Sequence, residues 1–295
     1  MRTYRVIHRT SYGYGATMSD GYSVACLVPR DTVWQRVRSA DIRLEPEPSE
    51  VDATLDVFGN RQHQFGLHEP HSTMLVEAES LVDVQHRPAP QDEATWEETV
   101  AACDSARGDL AIEVSMFRST SRLVDLPAVR AGLEPTVGAV FRPGRHVVDA
   151  LAALCDEIHD TFEFDAHFSN VSTPLADVIA ERRGVCQDFA HLAVASCRMV
   201  GLAARYVSGY IETVAPPGQE KLVGADASHA WCSVWTPGAG WIDFDPTNGH
   251  LPVNDHVTVA WGRDYADVIP VRGVMIGPAA TQVLDVAVDV ERVAL

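Results

Sequence analysis

Hydrophobic and polar residues alternate through the first part of the chain. From Thr3 to Thr10, Tyr4, Val6 and His8 fall on one side and Thr3, Arg5 and Ile7 on the other, the period of a strand. Ser39–Leu44, Gln62–Leu67 and Ser72–Val84 are likewise alternating or β-branched, separated by turn signals at Ser19-Asp20-Gly21 and Phe58-Gly59-Asn60. Short strands with frequent turns predict an antiparallel β-sandwich over residues 1–87. Arg87-Pro88-Ala89-Pro90-Gln91-Asp92-Glu93 cannot continue a sheet and marks a boundary.

Beyond it the period lengthens. Apolar residues at three- and four-residue spacing predict helices at Trp96–Cys103, Leu126–Ala131 and Val147–Phe162, the last with Leu151, Leu154, Cys155 and Ile158 on one face. Thr173-Pro174 reads as a cap and first helical position, and Arg183-Gly184 as the end of that helix. A second helix opens at Cys186, carries Phe189, Leu192, Ala193, Cys197 and Val200 on one face, and closes at Gly201. Strand-like runs follow at Ala204–Ile211, Ala230–Thr236 and Gly240–Phe244, separated by Pro216-Pro217-Gly218 and Pro237-Gly238. Leu284, Val286, Val288 and Val290 alternate with Asp285, Ala287 and Asp289 in a final amphipathic strand. The fold class expected is α+β: a β-sandwich (1–87), a core of helices and strands (88–272) and a C-terminal strand segment (273–295) packing on one of the two.

Charge and cysteine content narrow the function. A formal charge of −18 repels nucleic acid and anionic membrane surfaces, so neither is expected as a partner. No apolar run reaches the roughly 20 residues of a membrane helix, and the first residues lack the apolar core of a secretory signal, so a cytoplasmic location is expected. The six cysteines show no paired spacing and are expected to be free thiols.

Cys186 stands apart from the other five. A thiol with a pKa of about 8.5 is only a few per cent ionised at neutral pH. A helix N-terminus favours the thiolate, and a nearby imidazole can take the proton. Cys186 follows Gly184 and opens a helix, and its backbone N–H with a neighbour could face a developing oxyanion. His229 begins one strand-like run, and Asp245 ends the next, before Pro246. If these strands pair, the carboxylate can orient the imidazole. Asp243 is the rival acid on the same face, and Asp245 is preferred because proline places it at the sheet margin.

The other candidates carry two readings each. Gln187 is an oxyanion donor or an exposed first-turn residue, and Tyr210 and Trp231 line a groove or fill the core. Asp188 suits the helix dipole, while His191 falls on a different face from the thiol. Cys155 and Cys197 read as packing, and Cys232 as a strand residue facing away from Trp231. Asp188, His191, Asp226 and His229 could be assembled into a metal site on paper. The chain has no His-Glu-x-x-His, no Cys-x-x-Cys, no calcium loop and no phosphate loop, and no metal or other cofactor is expected.

The blocks Arg182–His191, Arg205–Tyr210, Ala227–Trp231 and Gly240–Gly249 resemble the bacterial transglutaminase-like superfamily. The β-rich start resembles the N-terminal region accompanying those proteins, and Trp261–Val268 resembles a segment after their core. The resemblance implies a papain-like fold with Cys186 as nucleophile, His229 as general base and then acid, and Asp245 as the orienting carboxylate. Cys232-Ser233 departs from an aliphatic residue followed by an acid in many relatives. The activity expected is thiol-dependent acyl transfer on an amide of a peptide or protein, with hydrolysis favoured. Amine transfer and a non-catalytic binding module are the alternatives.

Overall fold

The alternating N-terminal residues build two antiparallel sheets. The structure is a computed structural model that describes residues 1–213, 228–278 and 281–293. Among these residues the early strands are β1 (Arg2–Met18), β2 (Asp20–Ala25), β3 (Gln35–Glu45), β4 (Glu50–Leu55), β5 (Arg61–Leu67) and β6 (His71–Val84). The helical region contains α1 (Trp96–Ser105), α2 (Asp109–Met116), α3 (Leu126–Val140), α4 (Val147–Thr161), β7 (Glu163–Phe164), α5 (Leu175–Glu181), β8 (Arg183–Gly184) and α6 (Cys186–Met199). The chain continues through β9 (Ala204–Ile211), β10 (Ser228–Thr236), β11 (Gly240–Phe244), β12 (His256–Gly262), β13 (Val271–Ile276) and β14 (Gln282–Val293). The Pro216-Pro217-Gly218 turn and Asp226 lie outside the described residues.

One sheet has the order β14-β1-β6-β3 and the other β13-β2-β5-β4. Leu27, Phe65 and Leu67 meet Met74, Val76 and Ala78 between them in one apolar cluster, which is the interior of the sandwich. The C-terminal strands return to this unit. β14 pairs along β1 from Thr3↔Val293 to Tyr14↔Gln282, and β13 pairs with β2. Only part of the tail's amphipathic face is covered: Val288 and Val290 are buried, while Leu284 and Val286 are exposed.

The second unit is built on the antiparallel sheet β11-β10-β9-β12. α6 packs across one face, with α3, α4 and α5 around it. Phe189, Leu192, Ala193 and Cys197 of α6 are buried with Leu151, Leu154, Cys155 and Ile158 of α4. Burial of the Phe, Leu and Ile side chains among them stabilises the arrangement by roughly 1.5–3 kcal/mol apiece.

The edge strand β12 was not expected from sequence, and two side-chain amides of the sandwich cover it. Gln35 donates to the Thr258 carbonyl at 2.7 Å and accepts from its N–H at 2.8 Å. Asn60 does the same to Trp261, at 2.8 and 3.0 Å. Each amide replaces a missing strand partner, which satisfies backbone groups and joins the two units.

The ends of α5 differ from expectation. Pro174 occupies the N-cap, and the Thr173 hydroxyl instead accepts from the Asn170 N–H at 3.0 Å. The left-handed terminator is Arg182, with φ 53°, rather than Gly184. Arg182 is held there by an Nε bond to the Thr161 carbonyl at 3.1 Å and by stacking of its guanidinium over Phe162. Gly184 serves a close approach: a Cβ there would lie 2.8 Å from Asp188.

Candidate active site

Cys186 is the first residue of α6, after the extended Val185, and is the one cysteine that is not buried. At this position the first-turn N–H groups have no helical acceptor and surround the sulfur with positive potential. Asp188, on the same turn, accepts from the Val185 N–H at 2.9 Å and from the Ser169 hydroxyl, so it fixes the entry to the helix. Gln187 is half-buried on that turn.

β10 and β11 pair with Ser233 opposite Asp243, which leaves His229 and Asp245 near the same end of the sheet. His229 Nε2 lies 2.7 Å from Asp245 Oδ2. The Cys186 side chain also acts on the same imidazole and favours its protonated form. With Nε2 committed to the carboxylate, Nδ1 is the nitrogen left for sulfur. His229 is 8% exposed and Asp245 is fully buried.

Asp245 is fixed by more groups than sequence suggested. Its Oδ1 accepts from the N–H groups of Thr247 at 3.0 Å and Asn248 at 3.2 Å. Its Oδ2 also accepts from Asn248 Nδ2 at 2.7 Å and His256 Nε2 at 2.9 Å. The turn is closed by backbone bonds between Asp245 and His250, with Gly249 at φ 66°. His256 in turn places Nδ1 2.8 Å from Asp255 Oδ1. The two ring nitrogens are thus flanked by two carboxylates, Asp245 on one side and Asp255 on the other.

His256 has no local sequence signal, because it reaches Asp245 only through the order β11-β10-β9-β12 and the loop before β12. Asn248 lay within a recognised block, but no role for it followed from spacing.

The remaining candidates resolve by placement. Asp243 forms an ion pair with Arg87 and is not the acid beside His229. Tyr210 is buried, with its hydroxyl 3.0 Å from His8 Nδ1, and does not line an open groove. Trp231 is also fully buried: its ring lies 6.0 Å from His229 and edge-on to His256 at 5.0 Å, so it orients both imidazoles from below. His191 is buried, accepts from the Tyr265 N–H at 3.1 Å, and is pushed down to about 4 by burial. Cys232 donates to the Ala190 carbonyl at 3.1 Å and burial pushes its thiol up. It faces α6, away from Trp231.

Comparison with known proteins gives this geometry a family. Residues 4–83 match the bacterial transglutaminase-like N-terminal region, and residues 136–246 match the transglutaminase-like superfamily. Uncharacterized protein Rv2569c of Mycobacterium tuberculosis is 38% identical over 296 residues, covering 97% of this chain and 92% of that protein. The chain belongs to the transglutaminase-like superfamily. A crystal structure of a candidate cysteine protease from Cytophaga hutchinsonii shares the fold, with TM-score 0.78 and 23% identity over 100% of this chain and 91% of that one. A protein-glutamine gamma-glutamyltransferase of Pseudomonas aeruginosa is 37% identical over 67 residues, 22% of this chain and 10% of that protein.

The electrostatics of this transglutaminase-like site favour separated charge. Burial alone pulls the His229 imidazole down, but hydrogen bonds to Asp245 and Cys186 outweigh it and hold the ring at about 10. Asp245 shows the converse. Burial raises it, and the bonds from His229 and His256 override this and keep it well below the usual carboxylate range. The ligand atoms of His229, Asp245 and His256 lie within 4.8 Å of one another, so these three side chains could also hold a metal ion. Such an ion would occupy the nitrogen and oxygen that bind each other here, in place of the orienting bond. Among the metal ligands assembled on paper, Asp188 and His191 are engaged elsewhere.

Proposed function

We propose that this transglutaminase-like chain is an amide-cleaving cysteine hydrolase, acting on a peptide or protein. The observation that carries the reading is the relay of Cys186, His229 and Asp245, with His229 fixed at 2.7 Å by the buried carboxylate. His229 already holds a proton at neutral pH, so Sγ reacts as the thiolate partner of that imidazolium and attacks the carbonyl carbon, with the oxyanion facing first-turn N–H groups of α6. The C–N bond then breaks as the imidazolium gives its proton to the leaving amine, leaving a thioester on Cys186. Water, deprotonated by His229, adds to the acyl carbon; the C–S bond breaks and the thiol is restored.

Iodoacetamide labelling at neutral pH tests the nucleophile. Selective alkylation of Cys186 that falls by about 10²-fold in His229→Ala supports the reading. Equal, slow labelling of several cysteines overturns it in favour of a non-catalytic module. A glutamine-containing peptide with a dye-labelled amine separates the two acyl acceptors. Ammonia or fragments without dye support hydrolysis, and dye incorporation replaces it with amine transfer.

A further inference from the structure

Away from the triad, the sheet face that carries His229 also buries a cation. The register places Arg205 of β9 and Asp243 of β11 on either side of Ser233 in β10. Arg205 is 6% exposed. Its guanidinium lies 3.6 Å from the centre of the Trp261 ring and 4.1 Å from that of Trp241. Arg30 lies 3.2 Å from the same Trp261 ring, and two cations this close to one indole must occupy opposite faces. The Arg205 Nε is sealed from solvent and meets no acceptor among the described residues. The acid that acts on it most strongly, Asp243, does so through space and is already ion-paired with Arg87.

Beside this guanidinium is a cavity of about 420 Å³, between the sheet and the loop carrying Thr32, Val33 and Trp34. A hollow of about 310 Å³ adjoins it, sharing Trp34, Arg87, Trp241 and Asp243. Both volumes suit a small organic molecule. The walls present three indoles: Trp34, Trp241 and Trp261. None of Cys186, His229 and Asp245 lines the cavity. Along β10, Trp231 and Ser233 extend away from His229 toward it.

The charges specify the occupant. Arg87 and Asp243 cancel, so Arg205 leaves one positive charge on the cavity wall. Stacking on indoles occupies the faces of a guanidinium and leaves its in-plane N–H donors free, the edge that pairs with a carboxylate. Burying a cation beside an unpartnered Nε is costly, and a carboxylate in the cavity offsets that cost through its charge and through the terminal N–H groups. Burial lowers Arg205 to about 9, which still leaves it charged at neutral pH.

We propose that this cavity binds a small aromatic monocarboxylate, its carboxylate on the Arg205 edge and its ring among the indoles of Trp34, Trp241 and Trp261. The site is independent of acyl transfer at Cys186. Calorimetric titration of the full chain with sodium benzoate tests it, with benzamide and sodium phosphate as comparators. Benzoate is expected to saturate one site and to bind at least about tenfold more tightly than either comparator. Arg205→Gln is expected to weaken benzoate by about tenfold or more. Ala239→Glu places a negative charge on an exposed turn at the cavity wall, and is expected to do the same without lowering the melting temperature. This second variant decides the matter if Arg205→Gln does not fold. Cys186→Ala should bind benzoate as the wild type does, which separates this site from the proposed hydrolase chemistry. Absence of saturable benzoate binding, equal binding of benzamide or phosphate, or binding unchanged by Ala239→Glu overturns the proposal.

Discussion

His256 Nε2 donates to Asp245 Oδ2 at 2.9 Å, the same oxygen that receives His229 Nε2 at 2.7 Å. The proposed orienting carboxylate is therefore held between two imidazoles, and the second is itself fixed by Asp255. Loss of His256 leaves Asp245 buried with one fewer donor. A charge-assisted hydrogen bond of this kind contributes about 1.5–3 kcal/mol. His256→Ala should lose about that much stability in urea unfolding and should also slow alkylation of Cys186. A variant that unfolds at the wild-type midpoint would show that the bond contributes nothing net.

The ionisation of His229 depends on Asp245. Its folded value, about 10, lies above its ordinary 6.5. The stability it contributes is therefore fully present below pH 6.5 and is lost as the pH rises through about 10. NMR titration of the ring should show it protonated at pH 8. Asp245→Asn should bring the titration down and flatten the alkaline loss of stability. A wild-type ring that titrates near its ordinary value would contradict the charge-separated site.

The cluster of His229, Asp245 and His256 predicts inhibition by a thiophilic, imidazole-binding cation. Zn²⁺ added in slight excess should block iodoacetamide labelling of Cys186, and a chelator should restore it. His256→Ala should need at least about tenfold more Zn²⁺, since it removes one ligand. Equal sensitivity in both proteins would place the ion elsewhere.

Gly209 lies flush beneath Trp231. A Cβ there would fall inside van der Waals distance of the Val257 carbonyl oxygen and 2.6 Å from the indole. Gly209→Ala should destabilise the chain by about 1–3 kcal/mol, read as a lowered melting temperature. It should also disturb His229 and His256, which pack on that indole.

The legibility of each feature followed its range along the chain. Period-two alternation in β1 and β6 and the helical spacing of Leu151, Leu154 and Ile158 are local, and sequence displays them directly. The helix start at Cys186 was equally local. α2 and β12 were missed because α2 is short and β12 is buried on both sides, which removes the alternation that marks a strand. Arg182 replaced Gly184 as the terminator of α5 because contacts to Thr161 and Phe162 stabilise a left-handed residue that propensity disfavours.

By itself, then, the sequence determined the strongly periodic elements, the thiol at a helix start, and the candidates His229 and Asp245, because each depends on neighbours a few residues away. Only the tertiary structure decided between Asp243 and Asp245, by giving the first to Arg87 and the second to His229. It alone brought His256 to Asp245 and stacked Arg205 between Trp241 and Trp261. These contacts join strands that are distant along the chain, and strand order and register set which side chains share a face.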